Sequence, residues 1–161
     1  CARLLGAGKI FAIDHHEDRL ALAAGIGATP IHFDRENAAD VVRAETGGRG
    51  ADVVAETVGK RGAIDTALPL ARPYGTVILL GYIGPGETID IGEASLKHVL
   101  LKPALIPAIR RYQPRVMQLI AEGRLDPTPI LSHTLPLEQA PRAYRMMAER
   151  QDGAIKVILK P

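Results

Sequence analysis

Short apolar stretches alternate along this chain with helical stretches of about ten residues, and that alternation restricts the fold more than any other feature. Residues 9–13 form a strand that ends at Asp14, and the next helix carries Leu20, Ala23 and Ala24 at i, i+3, i+4 before Gly25 closes it. Residues 30–34 are a second strand, followed by a helix over 38–46 carrying Val41 and Val42 and stopped by Gly47-Gly48-Arg49-Gly50. The pattern repeats: a strand over 51–57, a helix marked by Ile64, Ala67 and Leu68 that Pro69 ends or kinks, and a continuously apolar strand over 76–80. Strands apolar on both faces and alternating with helices predict a parallel sheet covered on both sides, a doubly wound α/β architecture.

After Gly81 the rhythm loosens. Gly84-Pro85-Gly86 is a turn and 97–101 a further strand. Val116, Leu119 and Ile120 mark the buried stripe of a helix that begins near Pro114 and ends at Gly123. A last helix puts Ala140, Ala143, Tyr144 and Met147 on one face and runs to Arg150, and 154–159 is a terminal strand. No solenoid repeat, low-complexity segment or interdomain linker is legible.

Composition enters mainly by exclusion. At 161 residues the chain suffices for one domain with a full core. With 20 Lys+Arg against 18 Asp+Glu the net charge is only +2, and the basic residues are scattered, which argues against nucleic acid or a membrane surface as partner. Cys1 is the one cysteine, so there is no intrachain disulfide and no thiolate cluster for a metal; a cytoplasmic compartment is the default expectation. No apolar run approaches the roughly 18 residues of a membrane span. No signal peptide is legible, and the opening Cys-Ala-Arg without Met suggests a cut edge.

Asp14, at a strand end, is where dinucleotide-binding folds place a carboxylate that accepts hydrogen bonds from the adenosine ribose, about 20 residues beyond a GxGxxG turn. That distance puts the turn just before residue 1. Gly6-Ala7-Gly8 starts the pattern, but Phe11 stands where the third glycine belongs and a strand follows instead of preceding it. Asp14 fits a helix N-cap equally well, with Glu17 completing a capping box. On the ribose reading, its charge disfavours the 2′-phosphate of NADP and selects NAD, and Arg19 could reach a ribose hydroxyl.

Residues 2–7, 50–59 (Gly-Ala-Asp-Val-Val-Ala-Glu-Thr-Val-Gly), 72–77, 123–127, 132–140 (Ser-His-Thr-Leu-Pro-Leu-Glu-Gln-Ala) and 152–157, taken together, resemble the zinc-dependent alcohol dehydrogenases of the medium-chain dehydrogenase/reductase family. The resemblance covers essentially the whole chain in the right order. It implies a Rossmann-type sheet that lacks its first, central strand and its glycine turn, with residues 1–6 as the tail of the helix after that turn. Residues 1–128 would be a partial NAD-binding domain and 129–161 a segment returning to a GroES-like catalytic domain. The leading half would carry the catalytic zinc ligands. No catalytic or metal-binding residue is expected in this chain, because Cys1 and the scattered His15, His16, His32, His98 and His133 show no tetrahedral ligand spacing.

Carried over by position, the resemblance gives Asp14 the adenosine ribose, with Arg19 a second contact and His15 one adenine wall. Val58 would be the opposite wall, with Gly59 beside it. Gly81 and Tyr82 would flank the nicotinamide, although the family usually has a small or aliphatic residue where Tyr82 stands. Lys156 would reach the pyrophosphate, where a cation complements the charge. His133 is expected to be structural, and Arg110 and Arg111 a surface or interface pair. The apolar strand around Val99, Leu100 and Leu101 matches the region through which family members pair into dimers.

The implied activity of the whole protein is NAD-dependent oxidation of a small alcohol to an aldehyde or ketone, assisted by zinc. The alternatives are a zinc-free quinone or enoyl reductase of the same superfamily and a non-catalytic nucleotide-binding or dimerisation module. A short-chain dehydrogenase is disfavoured because no tyrosine is followed four residues later by lysine. Loss of a central strand leaves two open edges, so the chain is expected to be unstable or to close the slot by letting the flanking strands meet.

Overall fold

The computed structural model describes residues 1–86, 88–104 and 109–161. The chain divides into two compact units, Phe11–Tyr112 and Cys1–Ile10 with Gln113–Pro161.

In the unit Phe11–Tyr112 the elements alternate as the sequence predicts. Strand β1 (Phe11–Asp14) leads through helix α1 (Glu17–Gly25) to β2 (Thr29–His32). The two strands pair in parallel, with Ile13 opposite Ile31 and Asp14 opposite His32. Helix α2 (Ala38–Glu45) is started by Asn37, whose side chain accepts from the backbone N–H groups of Ala39 and Asp40. Strand β3 (Ala51–Glu56), helix α3 (Arg61–Leu70), strand β4 (Ala71–Leu79), the short helix α4 (Gly92–Leu96) and strand β5 (Leu100–Pro103) follow. The second sheet has the order β3-β4-β5, parallel throughout. The architecture is α/β with parallel sheets, of the Rossmann type.

Two apolar clusters hold this unit. One joins Ile64, Ala67 and Leu68 of α3 to Val77 and Leu79 of β4 and Ala94 of α4. The other joins Ile31 of β2 to Ala38 and Val42 of α2 and Leu70 of α3, and receives Ile13 of β1 and Val54 of β3. Ile31, Ile64 and Val77 are completely shielded from solvent. Burial of such a side chain is worth about 1.5–3 kcal/mol before the entropy of ordering is subtracted.

One of the two expected outcomes, a meeting of the flanking strands β1 and β3, does not occur among the described residues. Among the described residues β1 pairs only with β2, and β3 only with β4, so β1 and β3 each keep an open edge. Ile13 and Val54 satisfy their apolar surface against one shared cluster. Side-chain packing thus connects the two sheets without a ladder among the described residues.

The second unit contains short 3-10 turns, the first at Arg3–Leu5, and most of helix α5 (Ile109–Ala121). It also contains strand β6 (His133–Pro136), helix α6 (Ala140–Glu149) and strand β7 (Val157–Lys160), with β6 and β7 parallel. Three expectations fail in this unit. Helix α5 begins five residues before Pro114, and its supposed buried stripe is not buried, Val116 being exposed. The buried positions of α6 are Ala143 and Met146, while Tyr144 and Met147 are exposed, so the core face lies about one residue away in phase. The terminal strand begins at Val157, three residues later than expected, and pairs with β6, which the sequence did not suggest.

Candidate functional site

Asp14 is the last residue of β1. Its Oδ1 accepts from the backbone N–H of His15 at 2.7 Å and of His16 at 3.0 Å. This is an Asx-type turn between strand and helix. The capping box is therefore overturned: the helix N-cap is His16, and Glu17 is the first helical residue. Glu17 instead pairs with Arg35. The other oxygen, Oδ2, has Arg19 Nη1 at 3.6 Å. Partial burial pushes the Asp14 carboxyl up, but the His16 and His15 amides and the Arg19 guanidinium outweigh it, and the net effect lowers the pKa below 3.8. The group is therefore an anion at neutral pH, with one oxygen fixed by the main chain and the other lying toward a cation.

The His15 ring is exposed and stands edge-on to Phe33, with centroids 5.0 Å apart. It also lies 4.0 Å from the His16 ring. Asp14, His15 and His16 bring one ligand atom each within 4.8 Å of one another, the single such group of His, Cys, Asp or Glu among the described residues. The fit to zinc is poor, because Oδ1 already takes two N–H groups and a guanidinium faces Oδ2. A cation there would have to compete with Arg19.

The second group lies where β3 and β4 end. Gly59 has φ +76°, a conformation that glycine adopts without strain. A Cβ on Gly59 would overlap the backbone of Tyr82, and one on Gly81 would lie 2.6 Å from the Gly59 Cα. The two turns thus pass backbone against backbone, and both glycines are explained by that crossing before any ligand is considered. Val58 and Tyr82 stand out from it into solvent, each 64% exposed.

Glu56, the last residue of β3, fastens the crossing, and the sequence pattern did not single it out. It is the one buried charged residue among those described, at 4% exposure. The available signal was an acidic residue closing an apolar strand, with glycine three residues on.

Lys156 belongs to the other unit, where it immediately precedes β7 and is exposed. Ser132 organises its backbone. The Ser132 hydroxyl donates to the Lys156 carbonyl at 3.0 Å and accepts from the N–H of Ile155 at 2.9 Å and of Lys156 at 3.2 Å. His133 contributes its Nδ1, 3.0 Å from the same hydroxyl, in keeping with a structural role. Arg110 and Arg111 lie in α5, where Arg111 sits 5.6 Å above the Tyr112 ring. A concavity of about 290 Å³ between α1 and β2, lined by Leu20, Ala24, Pro30 and His32 among others, contains none of the expected coenzyme residues.

The structure therefore brings Asp14, His15 and Arg19 into one group and Val58, Gly59, Gly81 and Tyr82 into another, each just beyond the C-terminal end of a parallel strand. Crevices outside the carboxyl ends of the strands are where open α/β sheets bind ligands.

Residues 1–122 match the sequence pattern of a family described as zinc-binding dehydrogenase. The chain is 32% identical over 163 residues to an alcohol dehydrogenase of Cupriavidus necator, covering 99% of this chain and 44% of that protein. It is 34% identical over 162 residues to an L-threonine 3-dehydrogenase of Bacillus velezensis, covering 99% of this chain and 46% of that one. Among solved structures, the alcohol dehydrogenase TADH from Thermus sp. ATN1 superposes with a TM-score of 0.87 at 38% identity, over 99% of this chain and 46% of that chain. The chain thus spans less than half the length of these relatives.

Proposed function

The chain belongs to the zinc-binding dehydrogenase family, and on that footing we propose that it is the coenzyme-binding part of an NAD-dependent alcohol dehydrogenase. The observation that carries this reading is Asp14: an ionised carboxylate at the end of β1, with Oδ1 fixed by two amides. Oδ2 would accept from a ribose hydroxyl, and the same charge would repel a 2′-phosphate, which selects NAD over NADP. Arg19 would orient Oδ2 and share the ribose. His15 and Val58 would bracket the adenine, and the crossing of Gly59 and Gly81 would set the floor beside which the nicotinamide lies, with Tyr82 at its margin.

When bound, the nicotinamide supplies a hydride acceptor at C4 for the alcohol carbon, with release of the hydroxyl proton. The residues of this chain would bind and orient the coenzyme in that step. Zinc, which the family name implies, finds no fitting donor set among the described residues. We assign residues 1–128 to the coenzyme domain and 129–161 to a segment that packs toward a catalytic domain. The open edges of β1 and β3 would receive a strand between them. A second copy would pair along β5, an edge strand with Leu100 exposed. Among the described residues no helix is long and apolar enough to cross a membrane.

The test is alcohol-dependent formation of NADH, compared between this chain alone and the longer protein that carries it. Turnover is expected from the longer protein only, with or without zinc added to the chain. Turnover by the pure 161-residue chain would overturn the proposal.

A further inference from the structure

The main chain and the side chain of Glu56 hold two different turns. Its carboxylate Oε1 accepts from the N–H of Val58 at 2.6 Å and of Gly59 at 2.9 Å. Its backbone carbonyl accepts from the N–H of Leu80 at 2.8 Å and of Gly81 at 3.1 Å. One residue thus ties the turn after β3 and the turn after β4 to a single point, where Gly59 and Gly81 cross. The other carboxylate oxygen, Oε2, is buried and has no partner among the described residues.

A buried carboxylate with one unmatched oxygen is a costly way to stabilise a strand end, and a neutral or apolar side chain would serve stability better. What a carboxylate does well is accept two amides at once through short, charge-assisted bonds that fix their direction. Both amides belong to the turn that presents Val58 and Gly59, and the carbonyl holds the turn that presents Gly81 and Tyr82.

We infer that Glu56 is a positioning residue for the coenzyme, acting through these two turns; this rests on the proposed coenzyme site. It touches neither the adenine nor the nicotinamide. It sets the separation of the walls that do.

The experiment uses the protein that carries this chain, with Glu56→Ala, which removes the acceptor, and Glu56→Gln, which keeps one oxygen for the amides. Hydrogen exchange at Val58 and Gly59 should accelerate about 100-fold in the alanine variant and stay within about threefold in the glutamine variant. The dissociation constant for NAD⁺, measured on folded protein, should rise about tenfold with alanine and recover to within about threefold with glutamine. A merely structural role predicts a lower thermal midpoint with unchanged NAD⁺ affinity, and that result would overturn the inference, as would failure of glutamine to rescue. If the alanine variant does not fold, Glu56→Asp, which withdraws the acceptor by one methylene, is measured in the same way. Failure of the unmodified protein to bind NAD⁺ would overturn both the coenzyme site and the positioning role of Glu56, while the exchange rates would still report whether the clamp exists.

Discussion

A side chain on Gly81 would begin 2.6 Å from the Cα of Gly59, inside backbone rather than beside a movable group. The crossing of these two turns cannot relax by a rotamer change. Gly81→Ala is therefore expected to destabilise the protein by about 3 kcal/mol, at the upper end of overpacking costs. Urea unfolding of the protein carrying this chain measures it. A loss below about 0.5 kcal/mol, the level of an ordinary surface change, would mean that the turns are not in contact.

The Asp14 charge carries a pH dependence whose sign is fixed by its lowered pKa. A carboxyl with a folded pKa below its ordinary 3.8 contributes stability that is fully present above that value and lost as pH falls through the folded one. Asp14→Asn keeps an oxygen for the His15 and His16 amides and removes the charge. The stability difference between the two proteins should therefore be constant from about pH 5 to 8 and shrink toward zero below pH 3.8. A difference that persists undiminished at about pH 2.5 would assign the effect to shape instead of charge.

Ser132 bonds to both Ile155 and Lys156 across the start of the β6–β7 pair. Ser132→Ala removes three bonds to the backbone and the contact with His133 Nδ1 at an exposed site, where water replaces part of them, so about 1 kcal/mol of local stability should be lost. Hydrogen exchange over residues 154–160 should accelerate several-fold, with residues 51–56 unchanged. Uniform acceleration across both segments would contradict the local role.

Among the described residues β1 and β3 each have one side that pairs with no strand, and such an edge offers N–H and C=O groups to another chain. The 161-residue chain alone is expected to self-associate at micromolar concentration, whereas a protein extended at its N-terminus should not do so through these edges. Light scattering on both distinguishes them, and a clean monomer of the short chain would show that its edges are protected.

Much of the fold was legible in the residues because short apolar, strand-forming runs that alternate with helical stretches leave a strong trace, although the expected cover on both faces is not met at β3, where Val53 is exposed. The run Thr76-Val77-Ile78-Leu79-Leu80 is apolar and bounded by glycine; β1, β2 and β3 appear where that pattern predicts, whereas β4 begins at Ala71, five residues before its run. The missed elements carry weak traces. Helix α4 has five residues, too few to show a period, and takes up part of the stretch next to an expected strand that begins only at Leu100. Strand β6 ends on a proline, which argues against a strand when the partner strand is unknown. Helix α5 runs through Pro114, which in sequence marks a helix start more readily than an interior.

The site divides in the same way. The place of Asp14 at the end of β1 was legible, whereas its turn geometry, with Oδ1 held by the His15 and His16 amides, was not. Gly59 and Gly81 attracted attention as ligand neighbours, whereas their first reason is mutual contact, a relation between residues 22 positions apart that spacing does not reveal. Glu56 was hidden because acidic residues are usually solvated, and only the fold shows this one shielded and bonded to two amides.

The central claim is that the Asp14 group selects a coenzyme without a 2′-phosphate. Its most direct test is to measure the dissociation constants of NAD⁺ and NADP⁺ for the protein carrying this chain, with and without Asp14→Ala. NAD⁺ is expected to bind at least about tenfold more tightly, and the preference to collapse in the variant mainly through weaker NAD⁺ binding. Equal or tighter binding of NADP⁺ to the unmodified protein would contradict the claim.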